Sequence, residues 1–419
     1  MGFKTIDEAN QAVIDKMVAA APFLVDVVPA KTKIPELKEN VLLHAEPPMT
    51  YDDMTDPMQG ACVGAILFEE WADDEATARK MLENDEITLI PCHHVNAVGP
   101  MGGITSMNMP VLVVENRENG NEAYCQMNEG IGAVMRFGAY NEQVINRLHW
   151  MKDVLGPVLG EAIRSLEDGM NVNVLIAKAI AMGDEFHQRN IDSSYAFLRD
   201  IAPVISSLDH IDNEKRTEVI QFLSDTDQFF LNVAMATGKA MMDAARTIQS
   251  GTVVTAMTRN GNQFGIRIAG MGDEWFTGPV NTPQGLYFTG YSADDANPDM
   301  GDSAITETIG VGGMAMIAAP AVTRFVGTGG FDDALQTSNE MTEITIGENP
   351  NFAIPTWNFK GAVLGIDARK VVETGITPVI NTGIAHKVAG FGQIGAGTVH
   401  PPIECFEKAI TAYAEKLGF

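Results

Sequence analysis

Thr252-Val-Val-Thr-Ala-Met-Thr258, Arg259-Asn-Gly-Asn262 and Gln263-Phe-Gly-Ile-Arg-Ile-Ala269 stand in one continuous stretch, and it decides the fold. Two β-branched, strand-like runs flank an Asn-Gly pair, the strongest short-range hairpin signal, because a two-residue turn of that type needs positive φ at its centre. The hairpin ends a long stretch without strand signals. From 141 to about 248, amphipathic segments follow one another, with polar breaks at Asp168-Gly169, at 206–212 and at 224–227. Ahead of them, Thr5-Ile-Asp-Glu8 caps a helix reaching about residue 21, and Asp56-Pro57 opens a second that runs to 71. A third helix covers 74–83, and the short runs 87–91 and 110–115 read as buried strands. The expected fold is α+β and multidomain: a mixed α/β domain over 1–140, a mainly helical domain over 141–250 and a glycine-rich α/β domain over 251–419. Strand signals are too sparse for regular βαβ alternation, so a doubly wound sheet is not expected.

The 419 residues are 45% hydrophobic, ample for sizeable cores, and carry a net charge of −27. That charge argues against a nucleic-acid backbone or an anionic membrane surface as partner. A small anionic substrate must therefore be gripped locally, by arginines or backbone amides. Cys62, Cys92, Cys125 and Cys405 are widely spaced and form no CxxC, which suits a reducing cytoplasm better than a disulfide framework. The start of the chain lacks a secretion signal and the longest apolar run, 311–322, is too short to span a bilayer, so a cytoplasmic protein is expected.

Chemistry-bearing residues gather in four places. Met182-Gly-Asp-Glu-Phe-His-Gln-Arg-Asn190 reads as part of a buried helix, with Asp184 and His187 at i,i+3 and Glu185 and Arg189 at i,i+4. Such a segment is either a local ion pair with a core histidine or one wall of a polar pocket. Gly301-Asp-Ser-Ala-Ile-Thr-Glu-Thr-Ile-Gly-Val-Gly-Gly313 joins hydroxyls, two acids and four glycines ahead of a small-residue run that could be helical. It is either an anion cradle, with Asp302 and Glu307 orienting the ligand or holding magnesium, or a tightly packed turn. Asn381-Thr-Gly-Ile-Ala-His-Lys387 is followed by Gly390-Phe-Gly-Gln-Ile-Gly-Ala-Gly397, which matches G-x-G-x-x-G. Thr398-Val-His-Pro-Pro402 then breaks any helix, so the dinucleotide fingerprint is rejected and neither nucleotide nor flavin is expected. In Cys92-His93-His94, adjacent ligands leaving a strand point apart, which favours acid–base work over zinc. No G-x-x-x-x-G-K-[ST], H-E-x-x-H or G-x-S-x-G occurs, so the sequence gives no support to serine-hydrolase chemistry.

Pro91-Cys-His-His94 with Val98-Gly-Pro-Met-Gly-Gly103, Met182 to Asn190, Phe229-Phe-Leu-Asn-Val-Ala-Met235, Thr258-Arg-Asn-Gly261, Gly301 to Thr308 and Asn381 to His386 together resemble the YlbE-like, or AllG-like, family nearly end to end. The resemblance implies a subunit of oxamate carbamoyltransferase in anaerobic allantoin and purine breakdown. It also implies an FdrA-like partner, a third subunit and an oligomeric assembly. The implied reaction interconverts oxalurate plus phosphate and oxamate plus carbamoyl phosphate. Such a transfer needs donors for developing negative charge and a group to move a proton. The candidates are Arg189 and Arg259 for carboxylate or phosphate, and His187, His386 or His94 for the proton. Gly301, Ser303, Thr306, Asn381, Gly392 and Gly395 are candidates for anion binding. The S-T-R-T signature of the aspartate and ornithine carbamoyltransferases does not occur. Two alternatives stand beside this one: a non-catalytic assembly subunit for the FdrA-like partner, and a magnesium-dependent phosphoryl or amide-processing enzyme built on Asp184, Glu185, Asp302 and Glu307.

Overall fold

A computed structural model describes residues 3–130 and 132–419. Among the described residues, five small sheets, mostly antiparallel, are interleaved with helices, so the α+β expectation holds. The largest sheet has the order Ala97–Val98, Asn121–Gln126, Pro110–Asn116, Pro22–Pro29, Met170–Asn171. The helix Phe229–Ala245 lies across it, packed on Asn121–Gln126 and Pro110–Asn116. Nearly every residue of that helix is buried, including Asn232 and Lys239, as expected of a helix apolar on all sides. Its Gly238 lets the one-turn helix Ile305–Thr308 approach closely: a Cβ there would stand 3.0 Å from the Ile305 carbonyl oxygen.

The hairpin forms as read. Val254–Asn260 pairs with Gln263–Ile268 in the register Arg259 to Phe264 and Thr258 to Gly265. Gly261 takes φ +79, and the Asn260 side chain accepts the amides of Asn262 and Gln263, closing the turn. Phe276–Pro279 and Met300–Gly301 flank it to make a four-stranded antiparallel sheet. A three-stranded sheet sets Gln393–Val399 between Gln284–Tyr287 and Ile380–Ala385. The three early helices run Ile6–Ala19, Asp56–Phe68 and Glu75–Glu83, the first and third capped by Thr5 and Asp74. Strands Pro22–Pro29, Val41–His44 and Asn121–Gln126 carried no sequence signal strong enough to be read.

The segment 182–190 departs from expectation. It is not helical: the helix Val172–Met182 stops at Gly183, which adopts φ +115, and the next helix, Ile191–Ser206, starts after Asn190. Two carboxylates stabilise the intervening loop. Asp184 accepts the amides of Asp192 and Ser193 in the first turn of the following helix, at 3.2 and 2.7 Å. Glu185 Oε1 accepts the amides of His187, Gln188 and Arg189, so the i,i+4 side-chain pair with Arg189 does not form. Phe186, at φ +73, is fully buried and packs edge-on against Phe230 at 6.0 Å. Burying a phenylalanine is worth ~2–3 kcal/mol, enough to offset the ~1–3 kcal/mol of left-handed backbone strain at that position. The expected helix after Gly313 is likewise a run of 3-10 turns, Gly312–Ala318, kinked at Ala315.

Candidate functional site

The loop 183–190 and the strand end Met300–Gly301 meet beside a cavity of about 840 Å³. Its wall includes Pro100 and Met101, residues of 128–137, the loop residues His187 to Arg189, Gln228, Ser303, and Phe391 to Gln393. Gly301 places Ser303 there. With φ +117, and with a Cβ that would fall 2.5 Å from the Met101 amide nitrogen, only glycine fits.

His187 Nδ1 is 2.7 Å from Glu307 Oε1, and its Nε2 is 3.0 Å from Ser303 Oγ. Glu307 also accepts the Gly313 amide at 2.9 Å and the Thr306 hydroxyl at 3.0 Å, the bonding of a carboxylate. Nδ1–H therefore donates to Glu307, which leaves Nε2 as the acceptor of the Ser303 hydroxyl proton. Arg259 Nη1 donates to Ser303 Oγ from the other side at 3.1 Å. Hydroxyl, imidazole and carboxylate thus stand in line, the geometry that a nucleophile, a base and an orienting acid require. Ser303 lies between the strand end Met300–Gly301 and the one-turn helix Ile305–Thr308, a setting that the G-x-S-x-G pattern does not describe.

Arg259 is fully buried and does not line the cavity. Its guanidinium is fixed by Asp299, the Gly301 carbonyl and Thr382, so it acts on the site through Ser303. Among the described lining residues, the cations are Arg189 and Arg136. Arg189 pairs with Asp192 at 2.9 Å and with Asp184 at 3.5 Å. Arg136 has Asn128 Oδ1 at 3.4 Å and Glu129 at 3.9 Å, and burial lowers its pKa. Asp227 is the one carboxylate among the described lining residues, beside the amides of Asn128, Gln188, Gln228, Asn232 and Gln393. The wall thus offers two guanidinium groups in a strongly anionic chain, each beside a carboxylate of its own. Phe288, Phe325 and Phe391, each 43–59% exposed, give the cavity an apolar rim.

The remaining candidates scatter. Thr306 and Asn381 are buried behind the wall, Thr306 on Glu307 and Asn381 Nδ2 on Glu185 Oε2 at 2.9 Å. Burial raises the Glu185 pKa. The amides of Gly312 and Gly313 are already bonded to the Glu185 carbonyl and Glu307. Gly392 lines the cavity, whereas Gly395 lies inside a strand, where a Cβ would meet the Leu286 carbonyl oxygen at 2.3 Å. His386 stacks on Phe391 at 4.2 Å and accepts the Val388 amide through Nδ1 at 2.9 Å, which fixes the 390–393 loop from behind.

Asp184, Glu185, Asp302 and Glu307 do not converge as a magnesium site. Among the described residues, the ligand-type side chains that do converge, with ligand atoms within 4.8 Å of one another, are Glu46, His93 and Asp302. This second cluster is buried apart from the cavity. His94, itself exposed, approaches it with Nε2 3.6 Å from Glu46 Oε1, and partial desolvation lowers its pKa. Burial and the Asp302 charge raise the Glu46 pKa well above the carboxylate range, and burial beside Lys239 and Arg267 holds His93 neutral. Lys239 and Arg267 already supply the positive charge that a metal ion would bring. Sequence reasoning missed Arg136 and Glu46; each is a lone charge in an apolar run, Val134-Met-Arg-Phe137 and Val41-Leu-Leu-His-Ala-Glu46.

A model of the family described as oxamate carbamoyltransferase subunit AllG matches residues 87–303. Over 417 residues, 99% of each chain, the sequence is 61% identical to oxamate carbamoyltransferase subunit AllG of Escherichia coli (strain K12). The chain belongs to the AllG family. It is also 43% identical to uncharacterized protein YahG of Escherichia coli (strain K12), over 99% of this chain and 87% of that one. A crystal structure of a conserved protein of unknown function from Enterococcus faecalis V583 superposes with a TM-score of 0.96 at 44% identity, covering 98% of both chains. The AllG match contains Arg136, His187, Arg189, Arg259 and Ser303 and stops short of Glu307. No helix among the described residues is long and apolar enough to cross a membrane.

Proposed function

We propose that this chain is the subunit of a cytoplasmic oxamate carbamoyltransferase that holds the reacting groups, working with an FdrA-like partner and a third subunit. The assembly interconverts oxalurate plus phosphate and oxamate plus carbamoyl phosphate in purine breakdown. The observation that carries this assignment is the line from buried Glu307 through His187 to Ser303, the last two on the wall of a cavity that Arg136 and Arg189 also line, in a chain of the AllG family. Arg136 and Arg189 take the carboxylate or phosphate. The side-chain amides of the wall match the amide of oxamate, and His187 moves the proton. The assignment is tested by calorimetric titration of carbamoyl phosphate and oxamate into the chain, alone and with its partner subunits, alongside oxalurate formation. Binding by the lone chain, lost in Arg136→Ala, supports it. Binding that needs only the partner sinks the claim that this subunit holds the reacting groups. Activity that survives complete chelation removes the magnesium-dependent alternative.

A further inference from the structure

We propose that Ser303 carries the carbamoyl group covalently, so that transfer runs in two half-reactions through a serine carbamate. This rests on the carbamoyltransferase assignment and deepens it. The geometry argues for it in two ways. First, the accepting nitrogen of His187 faces Ser303 Oγ at 3.0 Å, while its other nitrogen is committed to Glu307. The imidazole is therefore positioned to deprotonate the serine hydroxyl. Second, carbamoyl phosphate and oxamate are both anions, and Arg189 already bonds Asp192 and approaches Asp184. Two half-reactions let the same cations serve one anion at a time.

In the first half-reaction, Ser303 Oγ bonds to the carbonyl carbon of carbamoyl phosphate as its proton passes to His187 Nε2. The bond from that carbon to the phosphate oxygen breaks, and the proton leaves with hydrogen phosphate. In the second, the oxamate nitrogen bonds to the carbamate carbon and gives its proton to His187. The carbon–Oγ bond breaks, the proton returns to Oγ, and oxalurate departs. Arg259 stabilises the alkoxide character of Oγ in both directions and is a positioning residue.

The test is isotope exchange. The full complex is incubated with carbamoyl phosphate and labelled inorganic phosphate without oxamate, and this subunit is then digested for mass analysis. Label entering carbamoyl phosphate and a carbamoyl adduct on the Ser303 peptide are expected, with exchange falling by at least roughly a hundredfold in Ser303→Ala. Oxalurate synthesis without exchange or adduct in the unmodified complex overturns the covalent step and leaves the transferase assignment intact. Absence of both oxalurate synthesis and exchange overturns the two together. Exchange that persists in Ser303→Ala places the carbamate elsewhere and overturns the proposal. The first two outcomes use the unaltered protein, so they do not depend on the folding of a variant; Ser303→Cys, expected to accumulate a thiocarbamate, supplies a second trap.

Discussion

Glu307 Oε1 lies 2.7 Å from His187 Nδ1 and receives the Gly313 amide through the same oxygen. One carboxylate thus fixes both the imidazole tautomer and the glycine-rich turn behind it. Glu307→Gln keeps the volume but presents an amide that can donate toward Nδ1, which favours the tautomer with a proton on Nε2. Turnover should fall by roughly 10²–10⁴-fold, by analogy with the loss of the orienting acid in other triads. Steady-state rates with the far-ultraviolet spectrum unchanged are the check, and near-normal turnover would remove Glu307 from the site.

Arg136 and Arg189 should differ. Arg136 makes only long contacts, to Asn128 Oδ1 at 3.4 Å and Glu129 at 3.9 Å, so Arg136→Ala should weaken anion binding by about 2–3 kcal/mol, the scale of a charge-assisted bond, with a smaller change in thermal midpoint than Arg189→Ala. Arg189→Ala also leaves buried Asp184 with one cation fewer and should lower both affinity and stability. Calorimetry paired with thermal melts separates the two, and equal stability losses would show that the distinction is wrong.

Burial lifts the Asp184 carboxyl to about 6, whereas an unfolded aspartate titrates near ~3.9. The folded chain holds this proton more tightly. Its contribution to stability is therefore complete below the unfolded value and is lost as pH rises through the folded one. Asp184→Asn has no such titration. Between about pH 4 and 7 the parent should lose stability relative to the variant, read as the difference of their melting temperatures. A difference that does not change with pH would contradict this.

Gly301→Ala should be costly, since the new Cβ meets the backbone nitrogen of Met101 and the φ of +117 excludes a side chain. A loss of about 2 kcal/mol or more is expected, with activity reduced further because Ser303 follows two residues later. Denaturant melts would show it.

The helices and the Asn-Gly hairpin were legible because each rests on local rules of capping, periodicity and turn chemistry. The loop 184–190 was not, since its i,i+3 and i,i+4 spacings mimic a helix while Gly183 and two carboxylates break it. His187, Arg189 and Ser303 were read as candidates, and the structure brings all three to one wall. Their alignment was hidden, because Ser303 and Glu307 meet His187 across 116 and 120 residues of sequence. Strand Pro22–Pro29 went unread because it mixes Asp26 and two prolines into an apolar run; its pairing with Pro110–Asn116 supplies what local propensity lacks.

The cavity draws its wall from positions as far apart as Pro100 and Gln393. No fragment that lacks either end of that span can form it, and a proteolytic nick that releases one contributing loop opens it. Occupancy should accordingly slow amide exchange across the whole chain rather than around the wall alone. A ligand at a hundredfold above its dissociation constant would add about 2.7 kcal/mol to the free energy of global unfolding, and protection should extend to the amides of residues 111–116, deep in the largest sheet.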